Sequence, residues 1–282
     1  MSETLSAGQP YTLRSWSIQE IAHLDASLVD ARFRLRVAVP TQPPPAGGYP
    51  LLVMLDGNAL TQHLEAGCAP AALQDQPLVL LVGYALAGDA AKKARAYDYT
   101  PALAGQPEPA DPRMPAWRNG GADALLAWLD EQVMPVVARC FDIDAHRRTL
   151  YGHSYGGLCV LRALCARTAL FDRYVAVSPS VWWQGQAILD QVDARIEAGG
   201  CGARVLVLAG EHEAWHARAT GPDGSPDSRT HGQATLPAAQ ALAERLSKIS
   251  GFDVAFEAVK DGTHHSMLAL SVAPALVFAG GS

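Results

Sequence analysis

Four stretches of this chain are unbroken apolar runs: Leu51 to Leu55, Leu78 to Val82, Val175 to Val177 and Val205 to Ala209. A strand with one face in water alternates polar and apolar residues, whereas a strand covered on both faces does not. The runs therefore predict a parallel sheet packed between helices. Helical patterns lie between them. Ala122 to Arg139 carries Leu125, Leu126, Leu129, Val133 and Val137 at three- and four-residue spacing, and its Pro135 predicts a kink or an early end. Leu236 to Ile249 repeats the pattern and stops at Gly251. Phe252 to Val259 is a further strand candidate, and Arg32 to Val39 alternates as a half-exposed strand would. Strands alternating with helices of this length imply right-handed crossovers and an α/β fold, a three-layer sandwich around a mostly parallel central sheet.

The same sequence excludes several classes. Its 22 basic and 28 acidic side chains give 22 − 28 = −6, against the basic surface a nucleic-acid binder needs. No apolar run approaches the roughly 18 to 20 residues of a membrane span. Met1 to Pro10 is polar, without a basic stretch leading into an apolar one, so no secretory signal is read. The expected location is cytoplasmic, or periplasmic for a chain trimmed of a leader. The five cysteines form no CxxC pair and are odd in number, which predicts buried small hydrophobes rather than disulfides or a zinc cluster. Residues 95–119, rich in proline and aromatics, and 217–235, rich in Gly, Pro, Asp and Ser, carry no periodicity and are expected to be pocket or lid loops.

The segment Gly152-His153-Ser154-Tyr155-Gly156 follows a short strand candidate, Thr149 to Tyr151, and precedes an apolar helix starting near Leu158. Gly-x-Ser-x-Gly in that context is a nucleophile elbow. The turn is tight enough to strain the serine backbone, and side chains at Gly152 and Gly156 are expected to collide with neighbouring elements. In return the Ser154 hydroxyl stands above the sheet at a helix N-terminus, where a developing anion is favoured.

Nucleophilic serine chemistry on this fold needs an acid and then a histidine downstream. After the last strand candidate come His264 and His265, two neighbours that spacing alone does not separate. After Val205 to Ala209 the chain reads Gly210-Glu211-His212-Glu213-Ala214-Trp215-His216, offering Glu211 or Glu213 as the acid. The last five of those residues also match HExxH, which on a long helix binds zinc. Here the motif follows a strand end, is soon broken by Gly221, Pro222 and Gly224, and has no evident third ligand. The zinc reading is the weaker one, no metal is expected, and Glu213 is taken as the acid. A second oxyanion donor should follow an early central strand, where Asp56-Gly57-Asn58 follows Leu51 to Leu55. The expected donors are the amides of Tyr155 and of Asn58 or Gly57.

Four segments in order, Met54 to Asn58, Arg95 to Pro101, Gly152 to Gly157 and Ser178 to Trp183, resemble the esterase D-like branch of the α/β-hydrolases. Within it they are most similar to the enterochelin esterase-like enzymes, which hydrolyse ferric catecholate siderophore trilactones. The resemblance covers roughly residues 32–278 and implies a single α/β-hydrolase domain over 1–282. It implies His264 as base, since the family histidine is commonly followed by one variable residue and then serine or proline. It favours Glu213 over Glu211, and it implies pocket roles for Arg95 and Tyr97, with Lys92 and Lys93 adding local positive charge. Trp182 and Trp183 stand where such enzymes build a pocket wall, able to stack on aromatic substrate rings. The expectation is a serine esterase with a Ser154-His264-Glu213 triad and no cofactor, acting on a small ester and most of all on a siderophore. A general small-ester or thioester hydrolase is the alternative, and a non-catalytic binding protein on the same scaffold is a third.

Overall fold

Every residue of the strand Tyr49–Leu55 is buried, as its apolar run requires. A computed structural model of the chain describes residues 11–12, 16–21, 30, 32–65, 73, 75–166, 170–198, 202–214 and 234–281. Its strands are β1 (Tyr11–Thr12), β2 (Trp16–Glu20), β3 (Phe33–Pro40), β4 (Tyr49–Leu55), β5 (Leu78–Tyr84), β6 (Ile143–His153), β7 (Arg173–Val177), β8 (Ala203–Gly210) and β9 (Phe252–Val259). Among the described residues they form one sheet in the order β1-β2-β3-β5-β4-β6-β7-β8-β9. The run from β5 through β9 is parallel throughout, while β1, β2 and β3 join antiparallel at one edge.

The pleat of β4 sorts its side chains between two cores. Leu51, Val53 and Leu55 enter one cluster with Tyr155, Leu158, Leu125 and Leu242. Leu52 and Met54 enter the other with Leu60, Met267, Val272 and Leu276. Helices therefore cover both faces, giving the expected three layers. On the first face lie α2 (Gly88–Asp98), α3 (Ala122–Trp128), α4 (Met134–Cys140), α5 (Tyr155–Cys165), α6 (Ala187–Ala198) and α7 (Thr235–Leu246). On the second lie α1 (Gly57–Glu65), α8 (Met267–Leu270) and α9 (Val272–Gly280). No described helix is long and apolar enough to cross a membrane.

Several local expectations are corrected. Pro135 does not end its helix early: Leu129–Val133 between α3 and α4 widens into a π-helical stretch. That irregularity sits where proline withholds its amide, so the helix continues to Cys140. Residues 95–98 are not loop but the last turn of α2, whose alanines and charges carry no apolar stripe to betray it. The helix after Ser154 starts at once, at Tyr155. Cys159 is buried and Cys165 half-buried, but Cys140 is exposed at the end of α4, against expectation. Cys68 and Cys201, like most of loop 217–235, lie outside the described residues.

Candidate active site

Three strand ends, on β6, β8 and β9, bring the predicted groups together. Ser154 links β6 to α5 with φ 59° and ψ −115°, a strained conformation that a tight strand-to-helix turn imposes. Gly152 is essential to that turn, because a Cβ there would lie 2.2 Å from the Gly156 carbonyl oxygen. The expected collision at Gly156 is absent, since its Cβ would meet nothing closer than 3.6 Å. Gly157 is the tight position instead, its Cβ site 3.0 Å from Pro179 Cα.

Ser154 Oγ lies 3.1 Å from His264 Nε2, and His264 Nδ1 donates to Glu213 Oε2 over 2.7 Å. The carboxylate can only accept, which fixes the proton on Nδ1 and leaves Nε2 as acceptor for the serine hydroxyl. His265 lines the neighbouring cleft instead, and the exposed Glu211 accepts from the Asp261 amide. Glu213 is buried and has a second set of donors on Oε1: Ser178 Oγ at 2.5 Å and the Gly210 amide at 2.9 Å. Burial pushes its carboxyl up, but the bonds from His264, Ser178 and Gly210 outweigh that and hold it below the ordinary carboxylate value.

The acid and base turns touch through backbone. A Cβ at Gly210 would lie 2.2 Å from the Gly262 oxygen, and the His212 amide donates to that same oxygen over 2.9 Å. Glu211–Ala214 is a single 3-10 turn rather than the long helix that HExxH zinc binding uses, and His216 lies outside the described residues. Among the described residues no group of three His, Cys, Asp or Glu side chains converges as a metal site would.

Two further supports escaped the sequence reading. Ser180 Oγ sits 3.3 Å from Ser154 Oγ, and since Ser154 donates to His264, Ser180 is placed to donate to Ser154. His153 is buried, and its Nε2–H donates to the His264 carbonyl over 2.8 Å. Burial first, then His264 and Arg95, depress its imidazole to about 4, so it is neutral at ordinary pH.

Beside Ser154 lies a cleft of about 440 Å³. Gly57 and Asn58 open α1 and Tyr155 opens α5, so their amides are first-turn donors that a helix leaves without internal acceptors. The Asn58 side chain is anchored to the Tyr84 carbonyl at 2.7 Å. Arg95 lines this cleft, but its guanidinium grips Asp56 through Nε (2.7 Å) and Nη2 (2.8 Å), and Nη2 also donates to the His153 carbonyl at 3.0 Å. It thereby joins the turn after β4 to the end of β6. Asp56 itself has φ 63° and donates its amide to Tyr99 Oη. Tyr97 turns away from the cleft to donate to Glu108, and Trp183 is fully buried with its indole N–H on Asn119 Oδ1. Trp182 is partly buried, its ring 6.0 Å from that of Tyr155.

Residues 27–265, which include the elbow and both downstream turns, match the esterase family model, whose description reads "Putative esterase". The chain belongs to this esterase family. It is a carboxylic ester hydrolase of the enterochelin esterase-like α/β-hydrolase type. The esterase is 29% identical over 272 residues to ferri-bacillibactin esterase BesA of Bacillus subtilis strain 168, covering 92% of this chain and 89% of that protein. It is 32% identical over 194 residues to an apo-salmochelin esterase of Escherichia coli O6:H1, covering 67% of this chain and 61% of that one. The fold of the esterase superposes on the crystal structure of the BES protein from Bacillus cereus with a TM-score of 0.72 at 22% identity, over 98% of this chain and 100% of that one.

Proposed function

We propose that the esterase is a serine hydrolase of siderophore esters, working through Ser154, His264 and Glu213. The observation that carries this reading is the unbroken chain of contacts from Ser154 Oγ to His264 Nε2 and from His264 Nδ1 to Glu213 Oε2. His264 takes the Ser154 proton as the oxygen attacks the ester carbonyl, and returns it to the departing alcohol. Glu213 holds the imidazole in the needed tautomer and stabilises its cation. The oxyanion of the tetrahedral intermediate is received by the amides of Tyr155 and of Asn58 or Gly57, each such donor contributing on the order of 3 kcal/mol. Water, activated by the same His264, then frees the acyl group from Ser154. The siderophore part of the reading is supported by the relatives, whose names specify ferri-bacillibactin and apo-salmochelin.

The test is Ser154→Ala assayed on ferric and iron-free catecholate trilactones and on p-nitrophenyl acetate. The expected loss is about 10³-fold or more in kcat on every substrate. Turnover that survives the substitution sinks the mechanism. Wild-type protein that cleaves p-nitrophenyl acetate but neither trilactone leaves the mechanism standing and removes the siderophore assignment.

A further inference from the structure

Three cationic side chains line the cleft beside Ser154, and two of them are already committed. Arg95 is bound on both arms to Asp56, and the exposed Lys92 is paired with Asp89 at 3.1 Å. The third is Arg113, from the proline-rich segment between α2 and α3. Its guanidinium makes no ion pair with a carboxylate among the described residues. It lies over two aromatic rings instead, with Cζ 4.5 Å from the Tyr155 ring centre and 4.9 Å from that of Trp182. Those rings attract the charge without neutralising it.

The main chain at this position is fixed as firmly as the side chain. The amides of Arg113 and Met114 donate to Asp111 Oδ1 at 2.8 and 2.9 Å. Asp111 is buried, and its Oδ2 receives the Tyr155 hydroxyl at 2.9 Å and the Asn119 amide nitrogen at 3.2 Å. Asn119 in turn receives the Trp183 indole N–H. A solvent-exposed arginine is thus tied, through a buried carboxylate, to the residue that follows the nucleophile. An exposed arginine ordinarily loses considerable rotamer freedom on binding, and stacking here removes part of that cost in advance.

We propose that Arg113 is a specificity-determining residue that receives an anionic oxygen of the ester substrate, a phenolate, catecholate or carboxylate, while Arg95 acts as a structural clamp. The inference rests on the hydrolase mechanism above and narrows its substrate to esters carrying negative charge near the scissile bond. A planar guanidinium presents paired donors to such an oxygen group and discriminates against its uncharged counterpart.

The test compares ester pairs that differ by one charge. One pair is 4-acetoxybenzoate against its methyl ester, with the charge on the alcohol side. The other is mono-4-nitrophenyl glutarate against 4-nitrophenyl pentanoate, with the charge on the acyl side. In Arg113→Gln the ratio of kcat/KM for the charged over the neutral ester should fall about tenfold in at least one pair, the factor that about 1.4 kcal/mol makes. The loss should appear in KM, and Arg113→Lys should restore part of it by restoring the charge. A ratio within twofold of wild type in both pairs for Arg113→Gln overturns the proposal, as does an equal fall in the Gln and Lys variants. Ferric trilactone forms a separate arm. If wild type does not cleave it while the charged-ester ratio still depends on Arg113, the siderophore assignment fails and the role of Arg113 stands. If trilactone is cleaved while neither its KM nor either charged-ester ratio moves in Arg113→Gln, the role of Arg113 fails alone.

Discussion

The two sides of Ser154 are built on different principles. On the side of Glu213 and His264, the two residues sit on turns that touch backbone to backbone at Gly210 and Gly262, and both carboxylate oxygens of Glu213 are bonded inside the protein. On the substrate side, the positions of Asp56, Arg95 and Arg113 depend on charged and aromatic side chains reaching across a solvent-open cleft. In the proposed mechanism the proton-transfer geometry is thus fixed by packing, where an error of about 1 Å costs roughly 100-fold. The binding surface is fixed by side chains that substitution can change one at a time.

Three substitutions sharpen that contrast. Glu213→Gln should have the largest effect, lowering kcat roughly 10³-fold with little change in KM, because a neutral amide no longer stabilises the imidazolium or enforces its tautomer. A kcat within threefold of wild type would mean that Ser154 and His264 work as a dyad. Arg95→Met should act on stability more than on chemistry. It strands the Asp56 carboxylate and frees the His153 carbonyl, for a loss of about 2 to 3 kcal/mol in urea unfolding. An unchanged urea midpoint would return Arg95 to the role of a freely available substrate cation. The third effect is one of pH and vanishes above pH 6.5. Because the folded chain holds His153 at about 4 against 6.5 for a free imidazole, the unfolded chain takes up a proton that the folded chain refuses. The His153 contribution is therefore fully present above pH 6.5 and is lost as pH falls toward 4, at up to about 1.4 kcal/mol per pH unit. His153→Asn should flatten the fall in urea midpoint across that window, and an equally steep fall would place its cause elsewhere.

The sheet was readable because burial on both faces writes itself directly into composition. Leu51 to Leu55 and Val205 to Ala209 fall inside β4 and β8, and Phe252 to Val259 coincides with β9. The strand β6 was underestimated, since Arg147 and Arg148 interrupt its apolar pattern while pairing with main-chain carbonyls. Helix α2 went unread because its covering contacts come from Ala96 and Asp98 rather than from large apolar residues. The elbow was legible because its glycines answer to local geometry. Its supports were not. Ser178 meets Glu213 from 35 positions away, Asp111 meets Tyr155 from 44, and His153 meets the His264 carbonyl from 111. No periodicity encodes such encounters, and a charged residue such as Arg113 in a proline-rich stretch looks like any solvated arginine until its neighbours are known.

The approach of Gly210 to Gly262 has a consequence for how such a protein can diversify. The atoms that forbid a side chain at Gly210 belong to the backbone of Gly262, so no substitution at a second position can make room there. The mutational path at Gly210 is closed, while those through Arg113 and Lys92, which line the cleft, stay open singly. A lineage or a selection experiment seeking new esters is thereby channelled to one wall of the cleft, with its reaction chemistry carried along unchanged.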